Sequence, residues 1–205
     1  MSDNTLRKKA ENFWYYYKWY VVGGVFLLLA LAVGIRSCVM RKKPDLYVLY
    51  ACDSTPDPVQ VQELESWFEK RTTDRNGDGE ISVQIIAAST TDMWNGTNST
   101  AVLVQVNSGN AVLYLLTPET YRVLHQNEVL ATPDPGESPY WQEDRYDLTA
   151  SGRLAALEAF GGNSPQYYLS IRKVAGTSFE SSESHKAQDQ LARDLLRKLV
   201  EEDQN

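Results

Sequence analysis

Residues 20–35 read YVVGGVFLLLALAVGI without one charged side chain. Carried on across Arg36 to Met40, the run reaches the roughly 20 residues that a helix needs to span a bilayer. Arg36 can snorkel to the interface along its apolar stem. Ahead of the run stands Phe13-Trp14-Tyr15-Tyr16-Tyr17-Lys18-Trp19-Tyr20, a density of amphipathic rings suited to an interfacial belt. A cleaved signal peptide and a lipoprotein signal ending at Cys38 are the rival readings. No small-x-small cleavage site follows the run, and Arg36 stands where a lipobox wants a small or apolar residue.

The expectation is therefore a single-pass cell-membrane protein. It has a short basic and aromatic tail over residues 1–18, a transmembrane helix over 19–40, a linker over 41–45 and one α/β domain over 46–205. Four Lys/Arg lie on each side of the run (Arg7, Lys8, Lys9, Lys18 against Arg36, Arg41, Lys42, Lys43), so the positive-inside rule ties. A cytoplasmic N-terminus and an extracytoplasmic domain are expected, because the ion loop described below is useful where calcium is abundant.

Charge is unevenly spread. Residues 1–43 hold eight Lys/Arg against Asp3 and Glu11, whereas the remaining 162 residues carry 12 bases and 25 acids. A domain so acidic repels polyanions, which argues against nucleic acid as a partner, while the basic flanks suit anionic headgroups. Cys38 and Cys52 suggest neither a disulfide framework nor a metal cluster.

From Pro44 onward, short apolar runs alternate with amphipathic segments, the pattern of an α/β domain with a mainly parallel sheet between helical layers, a three-layer α/β/α sandwich. Leu46-Tyr47-Val48-Leu49-Tyr50-Ala51 reads as a strand buried on both faces. Asp57 and Pro58 open a helix with Val61, Leu64 and Phe68 on one stripe. Strands are expected over 81–87, 111–116 and 167–174. Residues 100–107 are β-prone by composition, but a crossover helix is expected there from their place between two strands. Thr117-Pro118-Glu119 starts a helix that turns Tyr121 and Leu124 inward, residues 137–165 give no clear pattern, and Leu191, Leu195, Leu196 and Leu199 mark a closing helix over 184–202.

The chemical motif is Asp74-Arg75-Asn76-Gly77-Asp78-Gly79-Glu80-Ile81. Oxygen ligands fall at positions 1, 3 and 5 of an EF-hand-type loop, the sharp-turn glycine at 6 and the Glu80 carbonyl at 7. Asp74, Asn76, Asp78 and Glu80 are thus candidate calcium ligands, with Ile81 pinning the loop to the core. Position 12 is Ile85, so the bidentate Glu is missing. In its helix-loop-strand setting the segment resembles the calcium loop of the periplasmic galactose-binding protein, which implies a carboxylate supplied from elsewhere in the chain. The plain alternative is a polar turn, for which Asn-Gly and Asp-Gly are equally suited.

Strand, helix, strand, then a helix ending at Gly109 before Ala111-Val112-Leu113-Tyr114-Leu115-Leu116, resembles one lobe of a type 2 periplasmic solute-binding protein over residues 45–130. The aromatic stretch and anchor are similar to those of uncharacterised single-pass membrane proteins of clostridial-type bacteria. The resemblance implies a binding fold, although about 160 residues cannot build two lobes and a cleft between them.

Catalytic signatures are missing: there is no GxSxG, phosphate loop, HExxH or paired-Cys zinc spacing. His125 and His185 read as solvated helix residues. The strand-end residues Asp53, Ser54, Thr55, Ser89, Thr90, Thr91 and Thr117 read first as helix caps and second as a ligand site. Trp141 to Tyr146 read as a core-edge cover or a contact surface, and Asn95 and Asn98 head sequons. The expected function is a membrane-anchored extracytoplasmic binding or interaction module, calcium-stabilised, with a protein partner in the envelope. The alternatives are an accessory subunit of a transport or secretion complex, and an enzyme of unrecognised type.

Overall fold

A computed structural model describes residues 14, 15, 17, 19, 20, 22–31, 43–52, 54, 57–90, 99–161 and 165–204. The chain divides into two units, Met1–Lys42 and Lys43–Asn205.

In the first unit the expected anchor is corrected. Among the described residues no helix is long and apolar enough to cross a membrane. The described part of the expected span is helical at 19, 20 and 22–31. Residues 32–40, the rest of the expected span, lie outside the described residues. The single-pass localisation, with its cytoplasmic N-terminus and extracytoplasmic domain, falls with the helix that carried it.

The second unit is built on a six-stranded sheet. Its strands are β1 (Leu46–Cys52), β2 (Val83–Ser89), β3 (Leu113–Leu116), β4 (Trp141–Gln142), β5 (Arg145–Asp147) and β6 (Tyr168–Ile171). They lie in the order β2-β1-β3-β6-β5-β4. β1 pairs in parallel with β2 and β3. β6 pairs antiparallel with β3 and β5, and β5 antiparallel with β4. The sheet is thus mixed, which corrects the expected mainly parallel one. The physical reason lies in the connections. β1, β2 and β3 are joined through helices long enough for a crossover, whereas β4 and β5 are joined by a two-residue turn that only an antiparallel pair can use. Among the described residues between β5 and β6 the helical elements are two 3-10 turns, Leu154–Ala156 and Glu158–Phe160.

Among the described residues four α-helices cover the sheet: α1 (Pro58–Glu69), α2 (Ser99–Ser108), α3 (Pro118–Gln126) and α4 (Glu183–Asp203). Asp57 caps α1, its side chain accepting from the Val59 N–H, and Pro58 occupies the first turn where no donor is lost. Leu64, Trp67 and Phe68 of α1 share one core cluster with Leu191, Leu195, Leu196 and Leu199 of α4. Val102 and Val106 of α2 and Tyr121 and Leu124 of α3 belong to the other. Each fully buried leucine or phenylalanine contributes about 1.5–3 kcal/mol, so the two clusters account for most of the stabilisation.

α4 is held at both ends. Ser182 caps its start, and the ring of His185 bridges Ser182 Oγ (2.7 Å) to the carbonyl of Gly109 (2.6 Å). A carbonyl can only accept, so Nε2 carries the hydrogen on that side. Gly109 has φ +70°, and a Cβ there would lie 2.3 Å from the Phe179 ring. At the far end Asp203 accepts from Ser138 Oγ (2.6 Å), Tyr146 Oη (3.0 Å) and Arg153 Nη2 (2.7 Å). These contacts tie the last turn to the β4–β5 hairpin and the segment after it.

Candidate functional site at His125

α3 begins where Thr117 caps the Thr120 N–H and Pro118 takes the first turn; Glu119 lies in its first turn and His125 in its last. That placement sets a basic ring against the negative end of the helix. Tyr121, one turn back, stacks on the His125 ring with centroids 5.4 Å apart and packs edge-on against Tyr168 of β6.

The β4–β5 hairpin brings the partners. Trp141 pairs with Tyr146 and Gln142 with Arg145, leaving Glu143 and Asp144 as the turn. Glu143 takes φ +51°, a left-handed conformation that two-residue hairpins usually assign to glycine. Asp144 is 2 % exposed. Its Oδ1 accepts from Tyr121 Oη at 2.6 Å, and its Oδ2 lies 2.7 Å from His125 Nδ1. An ionised carboxylate only accepts, so Nδ1 carries the hydrogen and Nε2 is left facing outward. The bond to Asp144 and its negative charge raise the His125 pKa above the ordinary imidazole value. Burial, with Asp144 next, pushes the Tyr121 phenol above its usual range, so Tyr121 remains a donor. Arg145 closes the site from the hairpin side, its guanidinium over the rings of Tyr121 (4.7 Å) and Tyr168 (4.4 Å).

Two clefts meet at the His125 ring. One, of ≈ 400 Å³, is lined by His125, Glu128, Leu130, Ala131, Lys173 and Arg193 among others. The second, on the hairpin side, is lined by Tyr121, His125, Gln142, Glu143 and Arg145. The register puts the site at the amino ends of the parallel strands. Tyr146 pairs with Leu169, so the turn before it points toward Ile171, which pairs with Leu113 at the start of β3. Sequence reasoning looked for ligands at the opposite, carboxyl ends. There Thr117 is occupied in capping α3 and Thr90 Oγ1 donates to the Cys52 carbonyl (3.0 Å). Asp53, Thr55 and Thr91 lie outside the described residues, as do the sequon residues Asn95 and Asn98.

The Asp74 loop is a closed web of side-chain to backbone bonds. Asp74 accepts from the N–H groups of Gly77 (2.8 Å) and Gly79 (2.9 Å), Asn76 from Asp78 (2.8 Å), and Asp78 from Glu80 (3.0 Å). Beneath it Asp45, only 6 % exposed, accepts from the N–H groups of Arg75, Asn76 and Ser82. Asp45 thus braces the loop through its backbone N–H groups, and sequence reasoning did not name it. Ile81 does not pin the loop to the core as expected: it is 43 % exposed, and the strand begins two residues later at Val83.

Among the described residues, the group of three or more His, Cys, Asp or Glu side chains whose ligand atoms come within 4.8 Å of one another is His125, Glu143 and Asp144. Asp74, Asp78 and Glu80 do not form such a group. Reading His125 as merely solvated missed this arrangement, because its partner is 19 residues away in a hairpin with strands of two and three residues. Comparison of the chain with protein-family models, with curated proteins and with solved structures finds no match.

Proposed function

We propose that the domain is a binding module for a small organic anion with a short apolar body, seated in the cleft beside His125. The observation that carries this reading is the lining of that cleft. His125, Lys173 and Arg193 gather around the apolar side chains of Leu130, Ala131 and Ala175, facing Glu128 and the buried Asp144, with Lys173 and Arg193 the groups that would meet an anion and Arg193 also bonded to Asp189. A shallow apolar floor with a few convergent polar groups is the usual form of a small-ligand site. Asp144 holds the His125 ring in one orientation, so little side-chain freedom is lost when a ligand arrives.

The test is a thermal-shift and calorimetric panel on the full chain with acetate, glutamate, citrate and inorganic phosphate. At least one of the carboxylates is expected to stabilise the protein saturably, as a ligand of the native state must. That response is lost in the Lys173→Ala/Arg193→Ala double variant. No saturable response to any of the four, or one that the double variant retains, overturns the reading.

The Asp74–Glu80 loop belongs to the same proposal as a calcium-binding brace. The oxygens of Asp74, Asn76 and Asp78 each retain a lone pair beyond the backbone N–H they accept, and the Glu80 carbonyl follows at the seventh position. Calcium is expected to raise the melting temperature of the full chain and to lose that effect in Asp78→Ala. Equal melting temperatures with and without calcium discard the brace.

A further inference from the structure

We propose that His125, Glu143 and Asp144 hold a divalent transition-metal ion, with zinc as the simplest occupant, at the turn between β4 and β5. The three side chains come from two elements that the fold brings together, and their ligand atoms already lie within 4.8 Å of one another. One imidazole nitrogen and two carboxylate oxygens suit zinc and its neighbours, whereas calcium and magnesium favour all-oxygen shells. This donor set differs from that of the Asp74 loop, so the two sites differ in the metal they select.

The geometry needs a small adjustment. Tetrahedral bonds of about 2.0–2.1 Å set neighbouring donors about 3.3 Å apart, against 2.7 Å now between His125 Nδ1 and Asp144 Oδ2. A shift of a few tenths of an ångström in the His125 side chain, which stands in the last turn of α3 and is 44 % exposed, supplies that difference without leaving its stacking on Tyr121. The ion displaces the hydrogen that bridges Nδ1 to Oδ2, and the ring that binds it is the other neutral tautomer, with its one hydrogen moved to Nε2. Tyr121 Oη already donates to Asp144 Oδ1, the kind of outer bond that orients a ligating carboxylate. The exposed Glu143 carboxylate completes the protein's share from the solvent side. The charge opposing an ion here is Arg145, which is drawn onto the Tyr121 and Tyr168 rings and bonded to Gln142.

This inference does not rest on the anion reading. The metal ligands sit on α3 and the hairpin and border the same cleft as Lys173 and Arg193, but the metal proposal uses neither of those two cations. The experiment is calorimetric titration of the chelator-treated full chain with zinc chloride and calcium chloride, with NMR of the two histidine rings. Zinc is expected to bind at this site with one ion per chain, to shift the His125 ring and to leave His185 in place. Affinity falls at least about tenfold in His125→Ala and in Glu143→Ala, and by a similar factor in Tyr121→Phe. The Lys173→Ala/Arg193→Ala variant retains zinc binding, which separates this outcome from failure of the anion site. Glu143 is exposed, so its variant keeps the fold and remains informative should His125→Ala be unstable. Absence of zinc binding, unchanged affinity in both single variants, or a shift confined to His185 overturns the proposal.

Discussion

His125 and Asp144 meet at 2.7 Å with the carboxylate almost wholly out of water and nearly half of the imidazole side chain still in it. The asymmetry makes Asp144 the fixed member of the pair and His125 the one that responds to solvent.

A pH dependence follows from that bond. The pKa of His125 is raised in the folded chain, with the bond to Asp144 as the largest cause, from 6.5 for a free ring. The folded state therefore binds the proton more tightly than the unfolded one. Its contribution to stability is fully present below pH 6.5, declines as pH rises through the folded pKa, and is absent above it. Urea titrations in the presence of a chelator should show this decline, and proton NMR of the ring should place its midpoint above 6.5. Asp144→Asn should return the midpoint to the ordinary range.

Tyr121→Phe removes the phenolic donor and leaves Asp144 Oδ1, buried, with one bond fewer. Loss of a partner to a buried charged acceptor costs about 1–3 kcal/mol, which denaturant unfolding resolves readily. A loss below about 0.3 kcal/mol would mean that water replaces the phenol and that Asp144 is less enclosed than described.

Gly109→Ala meets two obstacles at once, a left-handed φ and the Phe179 ring 2.3 Å from the new Cβ. Phe179 cannot swing away freely, because its ring packs on His185 and under the Arg172 guanidinium. A destabilisation of roughly 2–4 kcal/mol is expected. Adding Phe179→Ala should relieve the clash but not the backbone strain, so the double variant is more stable than the sum of the single effects predicts.

Asp45→Ala strips three backbone N–H groups of their common acceptor. We expect a loss of about 2–3 kcal/mol and faster amide exchange at Arg75, Asn76 and Ser82. Exchange unchanged at those amides would show that the loop stands without its buried brace.

The legible parts of this chain are those in which hydrophobic period and punctuation agree. β1 is continuous and apolar, α1 and α3 each begin with a capping residue followed by proline, and Leu191, Leu195, Leu196 and Leu199 of α4 recur on one face over about two and a half turns. Direction was not legible in β6. Tyr168-Leu169-Ser170-Ile171 is buried at every position, and a run buried on both faces reads the same whether it lies parallel or antiparallel. The hairpin was opaque for a different reason: strands of two and three residues are shorter than any period. The placement of His125 on the outer side of its helix was consistent with its half-exposed ring, yet exposure says nothing about a partner reaching over from another element. Asp45 stayed hidden because a lone acid before a strand resembles any other polar start. The apolar run over 20–40 reads as a bilayer span by composition, whereas among the described residues no helix is long and apolar enough to cross a membrane.

The fastening of Asp203 to Ser138, Tyr146 and Arg153 couples two parts of the domain. Fraying at the end of the helix that covers the sheet with Leu191, Leu195, Leu196 and Leu199 withdraws the acceptor shared by the hairpin and the segment after it. Opening of that last turn is therefore transmitted to the hairpin whose turn carries Asp144.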